Sequence, residues 1–185
     1  NSFINEKNAQ SIDHLVKISD DFYKNMWTDD LDNQRTDHKS FVIKILKNIC
    51  ELLDLNRQNI MYEKVTLHFI LNYIRTIIIK YNLLEGGKYV FDSKRYFNEV
   101  YSKNIDVWGL IMCYNQLLYG PITNENKNIK LKIADIFLDN IFSTQYAAEP
   151  INVNSLTNNL LKLYSDTIIP KEAVVNKFIT IMRLI

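Results

Sequence analysis

Residues 105–119 read IDVWGLIMCYNQLLY, and how this stretch is read decides the fold. Ile105, Val107, Trp108, Leu110, Ile111, Met112, Cys113, Tyr114, Leu117, Leu118 and Tyr119 are apolar or aromatic, and only Asp106, Asn115 and Gln116 are clearly polar. A helix with apolar groups on nearly every side has no face left for water, so the pattern predicts a buried helix. At about 15 residues it is too short to cross a bilayer, which needs roughly 20. Asp106 is expected to cap its start by accepting from the free N–H groups of the first turn. Gly120-Pro121 is expected to end it, because glycine takes up the left-handed conformation and proline cannot continue a helix.

Outward from this stretch, the composition favours helices around it. The 185 residues include only four glycines and three prolines, which removes the usual turn punctuation of sheets and of glycine-rich phosphate loops. The expected fold is therefore an all-α single domain of about seven or eight helices packed around a buried central helix, 105–119. Within it, 1–60 is expected to form an N-terminal helical pair with a polar loop at 28–36, and 61–185 the helical core. A chain of this length buries enough surface to fold without a staple. Its apolar share of 47% and charged share of 23% are those of an ordinary globular protein.

Helical periodicity recurs along the chain. Ile12, Leu15, Val16, Phe22, Tyr23 and Met26 share one face of a first helix, with Lys17, Asp20, Asp21 and Lys24 opposite. Val42, Ile45, Leu46, Ile49, Leu52 and Leu53 mark a second helix starting near Asp37 or Ser40, and Asn56-Arg57-Gln58-Asn59 interrupts it. Met61 to Tyr81 predicts a third, strongly buried helix. On it Lys64, His68, Asn72 and Arg75 fall at steps of four, four and three, a polar stripe that argues against a membrane span. Glu85-Gly86-Gly87-Lys88 reads as a sharp turn, or else as an exposed site open to cleavage. The aromatic run Tyr89 to Tyr101 is expected to pack on the central helix as a short helix or ordered loop. Further helices are expected from about Ile129 to Phe142, with Ile129, Ile133, Ile136, Phe137 and Ile141 inward, from Asn154 or Ser155, and from Lys171 to Ile185 behind Pro170.

The search for chemistry returns little. His14, His38 and His68 are scattered, and none has a second ligand at a metal-binding spacing. There is no GxGxxG, GxxxxGK[ST] or GxSxG. Asp29, Asp30 and Asp32 lack the glycine and closing glutamate of a calcium loop and read as solvated. Lys127, Lys130 and Lys132 read as a solvated helix face. Cys50 and Cys113 lie in apolar helical stretches and are expected to be buried free thiols. No catalytic, cofactor or metal residues are assigned. Lysine outnumbers arginine 17 to 5, with 25 isoleucines and 22 asparagines, residues served by A/T-rich codons. That bias suits an AT-rich genome, that of a large DNA virus or of a parasite or bacterium of that kind.

One family resemblance rests on Phe97-Asn98-Glu99-Val100-Tyr101-Ser102-Lys103-Asn104-Ile105-Asp106-Val107-Trp108-Gly109, running on to Leu117-Leu118-Tyr119-Gly120-Pro121. This resembles the end of the activation segment and the following central helix of a eukaryotic-type protein kinase. Phe142 to Pro150 with its following helix is similar to the C-terminal part of divergent kinase-like proteins of large DNA viruses. The resemblance implies that Glu99 matches the glutamate of the APE motif, and Asp106 and Trp108 the Asp and Trp of DxW. In that family the Asp holds the backbone of the catalytic loop, so Glu99, Asp106 and Trp108 would be architectural residues. Gly109 and Ile111 depart from the pattern. No HRD or DFG motif precedes it, so the metal-holding carboxylates of phosphoryl transfer are missing.

The expected function is a non-catalytic helical domain for protein–protein interaction, a viral structural or scaffolding component. A divergent kinase or pseudokinase C-lobe is the alternative. Its partners would be other proteins or a second copy of itself, a role that suits its eleven tyrosines. A net charge of +1 argues against nucleic acid. With no signal peptide, lipidation motif or uninterrupted 18-residue apolar run, an intracellular setting is expected, in host cytoplasm or virion.

Overall fold

A computed structural model describes residues 11–33, 37–55 and 62–183, and their side chains except at 26–33, 37–40, 62–64 and 182–183. Among the described residues it is all-α: α1 Ile12–Asn33, α2 Asp37–Leu52, α3 Tyr62–Tyr81, α4 Ser102–Cys113, α5 Lys127–Asn140, α6 Val153–Leu161 and α7 Lys171–Arg183. None of these helices is long and apolar enough to cross a membrane. A single hairpin, β1 Asn82–Glu85 and β2 Lys88–Phe91, follows α3. Gly86 (φ 56°) and Gly87 (φ 78°) make its two-residue turn, where left-handed torsions match the twist of the flanking strands. The turn is where the glycine pair predicts it. The short strands either side, including Tyr89–Phe91, replace the expected helix or loop.

From Ser93 the chain runs helically to Leu118. A one-turn helix Ser93–Tyr96 leads through a π-turn Phe97–Tyr101 into α4, and a 3-10 stretch Tyr114–Leu118 ends it. Asp92, not Asp106, caps this start, its Oδ1 accepting from Arg95 N at 2.9 Å. Asp106 sits inside the helix and is exposed. The end is as expected: Tyr119 turns extended and Gly120 takes φ 79°.

The centre of the fold is α5, not 105–119. Leu131, Ile133, Ala134, Ile136, Phe137 and Leu138 are all buried, and α5 touches α2, α4, α6 and α7. In 105–119, by contrast, only Ile111, Asn115 and Leu118 are buried, while Ile105, Leu110 and Leu117 are 41%, 48% and 49% exposed. This helix packs one side inward and leaves the rest apolar in composition but open, a pattern that composition alone cannot tell from burial. Ile129 of α5 is exposed and Ile141, just past its end, half-buried, so the inward face is narrower than expected.

The lysines of α5 correct a second expectation. Lys130 and Lys132 are 3% and 2% exposed rather than solvated. Helix ends leave carbonyls without partners, and a cation is well placed there. Lys130 Nζ donates to the carbonyls of Leu118, Tyr119 and Gly120 at 3.2, 2.7 and 3.1 Å, closing the end of the 93–118 helix. Lys132 Nζ does the same after α6, donating to Lys162 and Ser165 at 2.6 and 2.7 Å. Their methylene stems fill the core while the charged heads meet carbonyls. Burial pushes the Lys130 pKa down. Asn104, 0% exposed, ties down the connector after α5: Nδ2 donates to Tyr146 and Glu149 carbonyls at 3.1 and 3.0 Å, and Oδ1 accepts from Ile151 N at 2.8 Å.

At the N-terminal end, α1 stays helical through 28–33, where a polar loop is expected; Thr-Asp-Asp-Leu-Asp-Asn contains no glycine or proline to stop it. Asp29, Asp30 and Asp32 therefore lie on helical backbone. The remainder of that loop, 34–36, and the 56–59 interruption lie outside the described residues.

Candidate functional site

The residues singled out by the kinase resemblance do not form one site. Glu99 is exposed, pairs with Arg95 at 3.0 Å and accepts from the Tyr81 hydroxyl at 3.3 Å. The Arg95 hydrogen bond pulls its pKa below the ordinary carboxylate value. Asp106 makes no side-chain hydrogen bond among the described residues, so the backbone-holding role implied for it is not carried out by the groups seen here. Trp108 is half-buried and meets Tyr101 edge-on at 6.4 Å.

The other chemistry-bearing residues are equally dispersed. Among the described residues no three His, Cys, Asp or Glu side chains gather as a metal site. His14 is exposed and His68 half-buried; the His38 side chain lies outside the described ones. Cys50 is buried as expected, and desolvation, then the charge of Glu51, pushes its thiol up to about 12. Cys113 is exposed, against expectation, because α4 turns that side outward.

What the fold does build is a pair of concavities on either side of one ring contact. Phe69 of α3 and Phe142 just after α5 meet edge-on, with centroids 5.3 Å apart. On one side lies an apolar groove of about 610 Å³. Its walls are Phe41, Val42 and Ile45 of α2, Ile70, Tyr73 and Ile74 of α3, and Trp108 and Met112 of α4. The i, i+4 spacing of 69/73, 70/74, 41/45 and 108/112 puts each pair on one helix face. The groove continues as a ledge along the 93–118 helix. Trp108 meets Tyr101, Tyr101 stacks on Phe97 at 5.8 Å, and Phe97, Tyr101 and Ile105 are 53%, 38% and 41% exposed.

On the other side lies a polar cleft of about 730 Å³ between α3, the end of α5, α6 and α7. His68, Asn72 and Arg75, the described part of the polar stripe on α3, line it. The stripe is a paired seam. The Arg75 guanidinium clasps buried Asp20 of α1, with Nε at 3.0 Å from Oδ1, and donates to Asn72 at 3.2 Å. The hydrogen bond it donates to Asp20 raises the Arg75 pKa further. Lys177 of α7 pairs with Asp135 and, at 2.7 Å, with Asp139. Burial works to lower the Lys177 pKa, and its hydrogen bonds to the two carboxylates outweigh that and raise it. The cations of the cleft are thus already answered by carboxylates of the chain itself.

Comparison with protein-family models, curated proteins and solved structures gives no match for this chain. The two concavities are shaped to bind, and among the described residues no three His, Cys, Asp or Glu side chains converge on an open metal position. Sequence reasoning placed Trp108 and Met112 in a buried central helix and read Met61 to Tyr81, the helix of Phe69 and Tyr73, as strongly buried. The i, i+4 aromatic pairs were the available signal, but they mark a face without saying what covers it.

Proposed function

We propose that this chain is a non-catalytic helical domain that binds another protein, through the groove walled by α2, α3 and α4. The observation that carries the reading is the groove with its ledge, an open run of aromatic and aliphatic groups from Phe41 and Tyr73 through Trp108 to Phe97. A drug-sized ligand would occupy the 610 Å³ groove. The ledge extends past that size along the helix, so the occupant is a protein surface. A partner helix laid into the groove, with apolar residues at i, i+3, i+4 and i+7, is the fitting shape. Phe, Tyr and Trp line both parts and Met112 lines the groove, residue types enriched at the centres of interfaces. The A/T-codon bias favours a viral structural or scaffolding setting, inside a cell or virion.

Phe41 stands at the groove mouth, 37% exposed, so a charge there disturbs the groove more than the fold. Proteins retained from a source extract by the immobilised chain are compared with those retained by Phe41→Glu, with circular dichroism establishing that both fold. The reading expects a partner held by the first and lost by the second. Identical sets, or none, contradict it.

A further inference from the structure

The polar cleft is not explained by a partner seated in the apolar groove, since the Phe69–Phe142 contact divides the two. Polar groups reach it from separate elements: Asn72 and Thr76 of α3, Ser143 and Thr144 after α5, Ser155 and Asn159 of α6. The hydroxyls of Ser143, Thr144 and Ser155 have no hydrogen-bond partner among the described residues. Hydroxyls and primary amides both donate and accept, which matches a ligand that alternates N–H and C=O.

Charge narrows the choice. Arg75 is matched by Asp20, and Lys177 by Asp135 and Asp139, which leaves two cations against three carboxylates around the cleft. Among the described residues, neither the Arg75 nor the Lys177 cation is left unpaired for a phosphate or other anion. A sugar stacks best on an open aromatic ring face, and of the three rings lining the cleft Phe142 is 2% exposed, Phe69 stands edge-on to it and Tyr146 is half-buried. Two aliphatic groups, Ile79 of α3 and Ile181 of α7, line the cleft beside the polar ones. The α3 wall runs from Val65 to Ile79, about 21 Å at 1.5 Å per residue. That length holds about six residues of extended chain at roughly 3.3 Å each.

We infer that this cleft binds an extended, uncharged peptide segment of a partner protein and reads its backbone. The choice of peptide rests on the protein-interaction reading, but the surface is a different one. Main-chain hydrogen bonds to the hydroxyls and amides hold the segment, and alternate side chains turn toward Ile79 and Ile181.

The test is an amide-resolved NMR titration of the chain with acetyl-(Ala-Thr)3-amide, with the same peptide N-methylated along its backbone, and with maltohexaose and inorganic phosphate. Saturable shifts are expected at residues 68–76, 143–146 and 155–159 with the first peptide, at least tenfold weaker with its N-methylated form. They are expected to disappear in Ser155→Leu/Asn159→Leu, whose remaining spectrum reports an intact fold. Because backbone reading tolerates sequence, no shift at millimolar peptide overturns the inference. Equal binding of the N-methylated peptide, or binding of maltohexaose or phosphate in its place, also overturns it. A negative titration alongside a partner lost by Phe41→Glu overturns this inference alone and leaves the groove reading standing.

Discussion

Replacing Lys130 with methionine tests the way this fold finishes its helices. The ammonium is 3% exposed and donates to three successive carbonyls, those of Leu118, Tyr119 and Gly120. Methionine keeps the length of the apolar stem and removes every donor. The Leu118 carbonyl belongs to a buried residue and loses its partner inside the protein, a loss of about 1–3 kcal/mol. Tyr119 is half-buried and Gly120 exposed, so their carbonyls turn to water at a smaller cost of about 0.5–1 kcal/mol each. Relief of the buried charge offsets part of the sum. The net expectation is a destabilisation of about 2–4 kcal/mol, which for a domain of this size lowers the melting temperature by roughly 4–16 °C. Chemical denaturation monitored by circular dichroism, with Lys127→Met beside it, makes the measurement. Lys127 has no side-chain bond among the described residues, so its variant should stay within about 0.5 kcal/mol of the parent. A Lys130→Met protein as stable as Lys127→Met would refute the capping role and place the ammonium in water.

Four further outcomes are expected. Asn104→Ala removes two donated bonds and one accepted bond at a 0% exposed position, and should lower stability by about 2–4 kcal/mol; Asn104→Asp should be no better, since a carboxylate faces the Tyr146 and Glu149 carbonyls. With a thiol-reactive chromophore the native protein should show one fast cysteine, Cys113, and release Cys50 only on unfolding. The folded state keeps the Cys50 proton up to about 12 against an ordinary 9.0. Its contribution is therefore full below pH 9 and lost as pH rises toward 12, so Cys50→Ala should show a shallower alkaline decline in denaturation midpoints. Finally, on the non-catalytic reading ATP with Mg²⁺ should leave the melting temperature unchanged; a saturable rise, the mark of a ligand bound to the native state, would contradict that reading.

Much of the helical framework was legible because it rests on local chemistry. The i, i+3, i+4 pattern of Val42 to Leu52 gives α2, Pro170 stands directly before α7, and Gly86-Gly87 and Gly120 mark a turn and a stop. What escaped depends on which surfaces meet. Residues 105–119 are apolar on all sides, yet neighbours cover only the Ile111–Leu118 side. Lys130 and Lys132 look like surface charges because their partners, carbonyls 10 to 33 residues away in sequence, are brought near only by folding. The polar stripe on α3 was visible as a seam, but its matching carboxylate, Asp20, lies 55 residues earlier on α1. Both concavities need three or more helices in place before they exist.

Site-specific photo-crosslinking tests the central claim most directly. Benzoylphenylalanine placed at Phe41, in the groove mouth, is compared with the same group at Tyr164, which is 84% exposed and remote from the groove walls. On irradiation in a source extract, the account predicts a discrete protein adduct from position 41, absent from position 164 and competed away by excess unlabelled chain. No adduct from 41, or the same products from both positions, would contradict it.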